Sequence, residues 1–333
     1  MKKNTSGRKA KTTERADLYQ QVTDKIIESL EKGTVPWRKP WRMVDKPNGS
    51  SLPANAVTGR PYNGVNIPLL WMAAEERGFS SDRWLTYLQA QQLGGHVRQG
   101  EISSMAVVYK KFEKQATDTG GNAVFDDEGN PLMEPRSMLK TLQLFNIQQC
   151  EGLPPEIGGE SKSLMTEDEI ETLSAPVANR VMEIFNSSGV AVTFIEQNRA
   201  FYRTSTDSIV MPISGQFFTE ADYWATLLHE LVHATGHEKR LNREGITATS
   251  RKFGDPVYAF EELIAEIGSA FLCAELGVYG EVQHESYING WLAKLKEDKR
   301  ALFSACRQAR EASEFLLTLQ NDSTNSVPAA KVA

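Results

Sequence analysis

Apolar residues recur every three or four positions in three stretches of the first half of the chain, as in amphipathic helices. These stretches are residues 18–30, 66–78 and 84–93. Each ends at or just before a glycine, the residue that most often stops a helix. Residues 105–109 and 141–147 are apolar runs expected to form strands. The polar, glycine-rich residues 115–137 between them predict either a hairpin excursion or a mobile surface loop.

Helices and short strands are also expected in the second half. Thr166 and Glu169 have the spacing of a capping box, which predicts a helix reaching about residue 186. Three short strands are expected at residues 190–195, 200–203 and 208–213. A helix is then predicted over residues 220–235, with Thr219 as its N-cap and Gly236 as its stop. A long helical region follows it.

This order of elements predicts an α+β protein, and 333 residues suggest two domains. A Pro- and Gly-rich stretch without periodicity provides the boundary between them. The expected order is a disordered basic arm (1–14), a first domain (15–150), a linker (151–163), a second domain (164–318) and a disordered tail (319–333).

Charge divides the chain in the same place. Residues 1–150 contain 21 Lys and Arg and 16 Asp and Glu, a net charge of +5, whereas the remainder has a net charge of −11. A basic first half favours contact with a polyanion. The three cysteines are far apart and form no CxxC pair, which favours a reducing compartment over a disulfide framework. Neither a secretory signal nor a membrane span is recognisable, so we expect a cytoplasmic protein without a membrane partner.

Residues 229–233 read His-Glu-Leu-Val-His on the predicted helix 220–235. His229 and His233 are one turn apart, so both imidazoles project from one face and can hold one metal ion. Glu230 is placed to act as the general base of a zincin. Such a motif also occurs by chance, but the apolar neighbours predict a buried helix, where unpaired His and Glu are rare. We therefore predict a zinc site, with another transition metal such as manganese as the alternative.

A catalytic zinc needs a third protein ligand. Residues 260–272 predict a buried helix on which Glu262 and Glu266 lie one turn apart. Two buried carboxylates so close repel unless a cation or a hydrogen-bond donor lies between them. We expect Glu262 to be the ligand and Glu266 to accept the N–H of a liganding histidine. The alternative is that either glutamate belongs to a solvated helix face.

Other ligands and groups remain open. Glu261 replaces Glu262 if the helix phase is off by one residue, Asp255 is a further candidate, and His237 as a fourth ligand would close the site. Tyr258 is a candidate oxyanion donor. The apolar residues 209–211 are expected as the strand on which a peptide substrate pairs.

The chain resembles the ArdC-type antirestriction proteins of conjugative plasmids, whose N-terminal domain is shared with TraC-type primases. The C-terminal resemblance lies in residues 229–237 (HELVHATGH), 240–243 (RLNR) and 260–266 (FEELIAE). The N-terminal resemblance lies in residues 33–41 (GTVPWRKPW) and 58–66 (TGRPYNGVN), together with residues 84–108. It implies a single-stranded-DNA-binding domain, a zincin-like metallopeptidase domain of gluzincin type, and protection of incoming plasmid DNA from host restriction.

Cations interleaved with aromatics suit single strands, because bases stack on aromatic rings while Lys and Arg contact phosphates. The expected DNA-binding residues are Trp37, Arg38, Lys39, Trp41, Arg42, Arg60, Tyr62, Lys110 and Lys111. Trp37 and Trp41 are equally consistent with a structural Pro-Trp clasp. Trp71 and Trp84 are expected in the core.

Three functions are compatible with this pattern. The first is a DNA-binding antirestriction protein with a metallopeptidase-like domain. The second is an active zinc endopeptidase that associates with DNA and cleaves a protein substrate, such as a host restriction protein or another protein target. In the third, the metal only stabilises the fold. They differ in whether Glu230 is needed.

Overall fold

The computed structural model describes residues 17–37, 50–158, 167–247, 256–280 and 287–324. Several sequence-based predictions concern residues outside these ranges and are not tested by the structure. They are the arm at residues 1–14, the Thr166 cap, the candidate ligand Asp255, and the DNA-binding candidates Arg38, Lys39, Trp41 and Arg42.

Ten helices occur in the described ranges. They are α1 (Leu18–Glu31), α2 (Asn66–Arg77), α3 (Tyr87–Gln92), α4 (Pro155–Gly158), α5 (Glu167–Ser188), α6 (Glu220–Thr235), α7 (Glu244–Thr247), α8 (Pro256–Leu276), α9 (Ile288–Glu297) and α10 (Ala301–Thr324). The last of these continues past residue 318, where the sequence predicts a disordered tail. Leu319, just beyond that boundary, packs against the hydrophobic core that includes Leu228 and Leu272.

Nine strands form three sheets in the described ranges. They are β1 (Ala54–Asn55), β2 (Arg83–Leu85), β3 (His96–Val97), β4 (Ser104–Gln115), β5 (Met133–Asn146), β6 (Cys150–Glu151), β7 (Ala191–Ile195), β8 (Phe201–Arg203) and β9 (Ser208–Pro212). The sheet orders are β1-β2-β5-β4, β3-β6 and β7-β9-β8. This mixture of helices and sheets confirms the predicted α+β class.

Two predictions in the first half were wrong in detail. Trp84 lies in strand β2 rather than in a helix, because residues 84 and 85 pair with β5 and the helix begins only after its N-cap, Thr86. Strands β4 and β5 are also much longer than their apolar segments. Their antiparallel register runs unbroken from Ser104–Leu144 to Gln115–Met133, since backbone hydrogen bonds continue the ladder through polar residues.

Part of the predicted linker is packed. Strand β6 pairs with β3, and Leu153 and Ile157 contact a small core that includes Leu85 and Ile147. This segment is therefore attached to the first half of the chain rather than extended between two bodies.

The two predicted domains share one hydrophobic core. Helix α1 contributes Val22 and Ile26, and these belong to the same cluster as Leu263 of α8 and Leu302 of α10. Trp37 is only 1% exposed, and its ring meets that of Trp291 edge to face at 5.6 Å. Because each large buried side chain contributes about 1.5–3 kcal/mol, this cluster couples the stability of the two halves.

Candidate metal centre

Helix α6 positions the two histidines. Its first turn is capped by Thr219, whose hydroxyl accepts the backbone N–H of Asp222 at 3.1 Å, and its second half is buried. His229 and His233 therefore point from one face into the protein interior. Their Nε2 atoms lie 3.1 Å apart, so both ring nitrogens face the same small volume.

Helix α8 brings Glu262 to this volume. Its Oε2 lies 3.6 Å from His229 Nε2 and its Oε1 lies 3.5 Å from His233 Nε2. Tetrahedral ligands about 2.1 Å from a metal are about 3.4 Å from one another. The three buried side chains thus have the separations, the donor types and the burial of a His₂Glu metal site. These residues fit a divalent ion.

The charges around the three side chains also favour a cation. Burial alone would raise the pKa of Glu262, but the imidazoles of His233 and His229 outweigh it and hold that pKa well below its usual range. Burial would lower the pKa of His233, yet Glu262, Glu261 and Glu230 raise it to about 10. Positive charge is therefore stabilised at this point, and a divalent ion would supply it.

Glu261 lies on the far side of His233. Its Oε1 is 3.4 Å from His233 Nδ1, so it can accept the N–H of that ring. Arg243 binds both oxygens of Glu261, with Nη2 at 2.6 Å from Oε1 and Nε at 3.1 Å from Oε2. Glu261 is therefore outside the group of described side chains with metal-binding geometry, which contains Glu262 instead. The sequence predicts that Glu266 accepts the N–H of a liganding histidine. For His233, Glu261 is the carboxylate in that position.

Glu266 and His237 occupy different surroundings. Glu266 is 3% exposed on α8, and its predicted contact with a liganding histidine stays a prediction. His237 Nδ1 accepts the backbone N–H of Lys239 at 3.3 Å and lies 3.9 Å from Asp207 Oδ2. Among the described residues, the group with metal-binding geometry comprises His229, His233 and Glu262, and His237 is not a member of it.

Glu230 lines a cavity of about 90 Å³ beside the two histidines. The backbone N–H of Tyr202 on strand β8 lies near the Glu230 carboxylate. Burial raises the pKa of Glu230, although the imidazoles and the Tyr202 N–H oppose that shift. A carboxylate with a raised pKa is a stronger base, so the arrangement suits proton transfer.

Two tyrosines also line this cavity. Tyr258 and Tyr287 place their hydroxyl oxygens 3.3 Å apart. Burial raises the pKa of both phenols, and the nearby Glu262 carboxylate raises them further. Both phenols therefore stay protonated and can donate hydrogen bonds. Sequence reasoning missed Tyr287, because it lies far from every motif and no local pattern marks it.

The strand beside the cavity is β8. It is an edge strand of its sheet and runs antiparallel to β9, and residues 200–202 line the cavity. The expectation that residues 209–211 pair with a substrate was wrong, because β9 is central and both its edges are occupied by β7 and β8. An extended peptide would instead pair with β8.

The comparisons with known proteins agree with this geometry. The family described as "Zincin-like metallopeptidase" matches residues 179–308, and the "N-terminal domain of anti-restriction factor ArdC" matches residues 16–145. The metal-free crystal structure of the antirestriction ArdC protein from plasmid R388 is 36% identical, with a TM-score of 0.72 over 92% of this chain and 98% of that chain. The chain belongs to the ArdC antirestriction family.

Further matches to this ArdC-family chain are a second crystal structure and relatives known by sequence. The Mn(II)-bound structure of the R388 protein is 35% identical and has a TM-score of 0.67 over 91% of this chain and 98% of that one. An Escherichia coli protein named DNA primase TraC is 39% identical over 91% of this chain but only 27% of its own length. The uncharacterized protein y4eC of Sinorhizobium fredii is 33% identical, covering 92% and 93% of the two chains. The chain thus spans about a quarter of that primase.

The expected DNA-binding residues of this ArdC-family chain are not all in positions to contact DNA. Trp37 is in the shared core, so its ring offers no face to a base, which favours a structural role for this one tryptophan. Arg60 is exposed, while Tyr62 is half-buried against the cluster around Trp84. Lys110 and Lys111 are exposed on strand β4. Trp71 and Trp84 are buried, as expected.

No helix in the part of the chain that the structure describes combines the length and apolar character that crossing a membrane requires.

Proposed function

We propose that this protein binds single-stranded DNA and protects incoming plasmid DNA from restriction during conjugation. The observation that carries the proposal is the match to ArdC over both halves of the chain. Of the DNA-binding candidates that the sequence predicts, Lys110, Lys111, Arg60 and Tyr62 are those that the structure describes outside the buried core. Three free cysteines are in line with action in the cytoplasm.

We assign His229, His233 and Glu262 as ligands of one divalent ion. Zinc suits this mixture of imidazole and carboxylate donors, and manganese is the alternative because the R388 relative has been solved with Mn(II). Glu261, held by Arg243, would fix the tautomer of His233, and Glu266 is assigned a supporting contact in the same shell. When bound, such an ion activates water and polarises a carbonyl group.

An active endopeptidase is the second candidate function, and the geometry around Glu230 favours it. Glu230 would accept a proton from the attacking water, while Tyr258 and Tyr287 would donate hydrogen bonds to the oxygen on which negative charge develops. Strand β8 would hold an extended substrate by backbone hydrogen bonds. A host restriction protein is the substrate class that the proposed role suggests.

Glu230→Gln separates the two functions. The substitution keeps the side-chain volume but removes the base, so metal content and DNA affinity should stay unchanged. If the protein acts by shielding DNA, the Glu230→Gln variant should protect a plasmid entering a restricting host to the same extent as the wild type does. Loss of protection by a folded, metal-loaded, DNA-binding variant would show that proteolysis is required. His233→Ala serves as the control that loses the metal, and a wild type that does not bind single-stranded DNA would refute the proposal itself.

A further inference from the structure

Strands β4 and β5 form a two-stranded ribbon that continues beyond the core of the first half. Near its base both faces are covered: Val107 belongs to the core shared with α1, and Ala106 belongs to the core around Trp84. From Val108 onward the side chains of β4 are largely exposed on both faces. Packing in the protein core therefore does not determine which side chains occupy the outer part of the ribbon.

Side chains of directly paired residues project to the same face of an antiparallel ribbon, and successive pairs alternate between faces. One face of the outer ribbon, here named the basic face, consists of four cross-strand pairs. They are Val108–Lys140, Lys110–Met138, Phe112–Arg136 and Lys114–Glu134. Each pair supplies one cation, and the first three place an apolar or aromatic side chain beside it.

The opposite face has a different composition. Its pairs are Tyr109–Leu139, Lys111–Ser137, Glu113–Pro135 and Gln115–Met133. It carries one cation and one acid, and its Tyr109 hydroxyl lies 3.1 Å from that of Tyr19 on α1. This face turns toward the body of the protein at its base, whereas four of the five cations on the two strands are on the basic face.

The concentration of charge is local. Residues 17–37 and 50–150 together contain 11 basic and 14 acidic residues, so the described part of the first half is slightly acidic. On the basic face the single acid, Glu134, pairs with Arg136 at 2.6 Å. Within the described ranges no carboxylate forms an ion pair with Lys110, Lys114 or Lys140. Three lysines are thus available to a ligand from outside.

We propose that the basic face binds single-stranded DNA, with Lys110, Lys114 and Lys140 contacting phosphates and Phe112 stacking on a base. Successive pairs on one face are about 7 Å apart, so the cations form a row along the ribbon that a polyanionic strand can follow. Phe112 is 39% exposed in the middle of this row. A single strand is favoured over a duplex because only unpaired bases present a free ring face to Phe112.

This inference rests on the proposed function and refines it. It assigns DNA binding to Lys110 and not to Lys111, because these neighbours in the sequence project to opposite faces of the ribbon. It also adds Phe112, Lys114 and Lys140, which the sequence pattern did not single out because their grouping depends on the register of two strands.

Lys110→Ala and Lys111→Ala provide a matched pair, since each removes one lysine from an exposed position of the same strand. In the full-length protein, binding of labelled oligo-dT should weaken several-fold for Lys110→Ala and less than about twofold for Lys111→Ala. The Lys110→Ala/Lys114→Ala/Lys140→Ala protein should lose about 2 from the slope of log affinity against log salt, since each lost phosphate contact removes about 0.7. Phe112→Ala should weaken binding roughly fivefold or more.

Unchanged thermal denaturation would show that these exposed substitutions leave the fold intact. Equal losses for Lys110→Ala and Lys111→Ala, or wild-type binding by the triple variant, would overturn the assignment to this face while leaving single-strand binding in place. Equal competition by duplex DNA or by polyglutamate would overturn the choice of ligand. A wild type that fails to bind oligo-dT would instead refute the proposed function.

Discussion

The metal centre and the basic face of the ribbon bring charged residues together in opposite ways. In the metal centre, His229, His233 and Glu262 are all buried, and the protein surrounds each of them with a partner. On the ribbon, the lysines are exposed and the partner must come from outside. Buried charges must be satisfied by the protein itself, so their grouping strongly constrains the fold, whereas exposed charges group without any such cost.

This difference predicts where substitutions act on stability. Arg243→Ala should have the largest effect, because Glu261 would remain buried without its cation. The side chains of Arg243 and Glu261 are 4% and 1% exposed, and breaking such a pair costs about 3–5 kcal/mol. Chemical denaturation of the metal-free protein measures the loss. Arg243→Ala/Glu261→Gln should recover part of it, and a loss below about 1 kcal/mol for the single variant would contradict the argument.

Trp37 is a DNA-binding candidate by its sequence context but a buried core residue in the structure. A substitution there distinguishes the two roles. Trp37→Ala should lower the free energy of unfolding by about 3 kcal/mol or more, through the cavity left beside Trp291. DNA affinity measured where the variant is still folded should stay the same. The opposite pattern, with stability kept and affinity lost, would return Trp37 to the DNA-binding surface.

The sequence predicts the metal centre better than the ribbon because a helix relates residues by a fixed angle. His229 and His233 face one volume as soon as residues 220–235 are helical, and the structure has the helix over that same range. Choosing Glu262 over Glu261 requires the rotation of α8 against α6, which the spacing of apolar residues leaves open by one position. In the structure, the contact of Arg243 with Glu261 favours Glu262 as the ligand, and that contact depends on the turn after α6.

The remaining errors have a related cause. Tyr287 reaches the cavity from a segment with no motif, and Trp84 enters a strand because β5 pairs with it. Both placements are decided by residues more than twenty positions away. Local propensity contains no information on such contacts, whereas the length of β4 and β5 follows from backbone pairing that polar side chains do not interrupt.

Glu266→Gln should have the smallest effect on stability, and it tests whether Glu266 supports a metal ligand. Glutamine has nearly the same volume, so packing is retained, but it is a weaker acceptor for a histidine N–H. If Glu266 supports a liganding histidine, metal affinity should fall about tenfold in competition with a chelator. Glu262→Gln should abolish binding in the same assay, and His237→Ala should leave it unchanged, since His237 faces Asp207 instead. If Glu266→Gln keeps full metal affinity, Glu266 does not support a liganding histidine. Glu261, held in place by Arg243, would then be the carboxylate that orients His233.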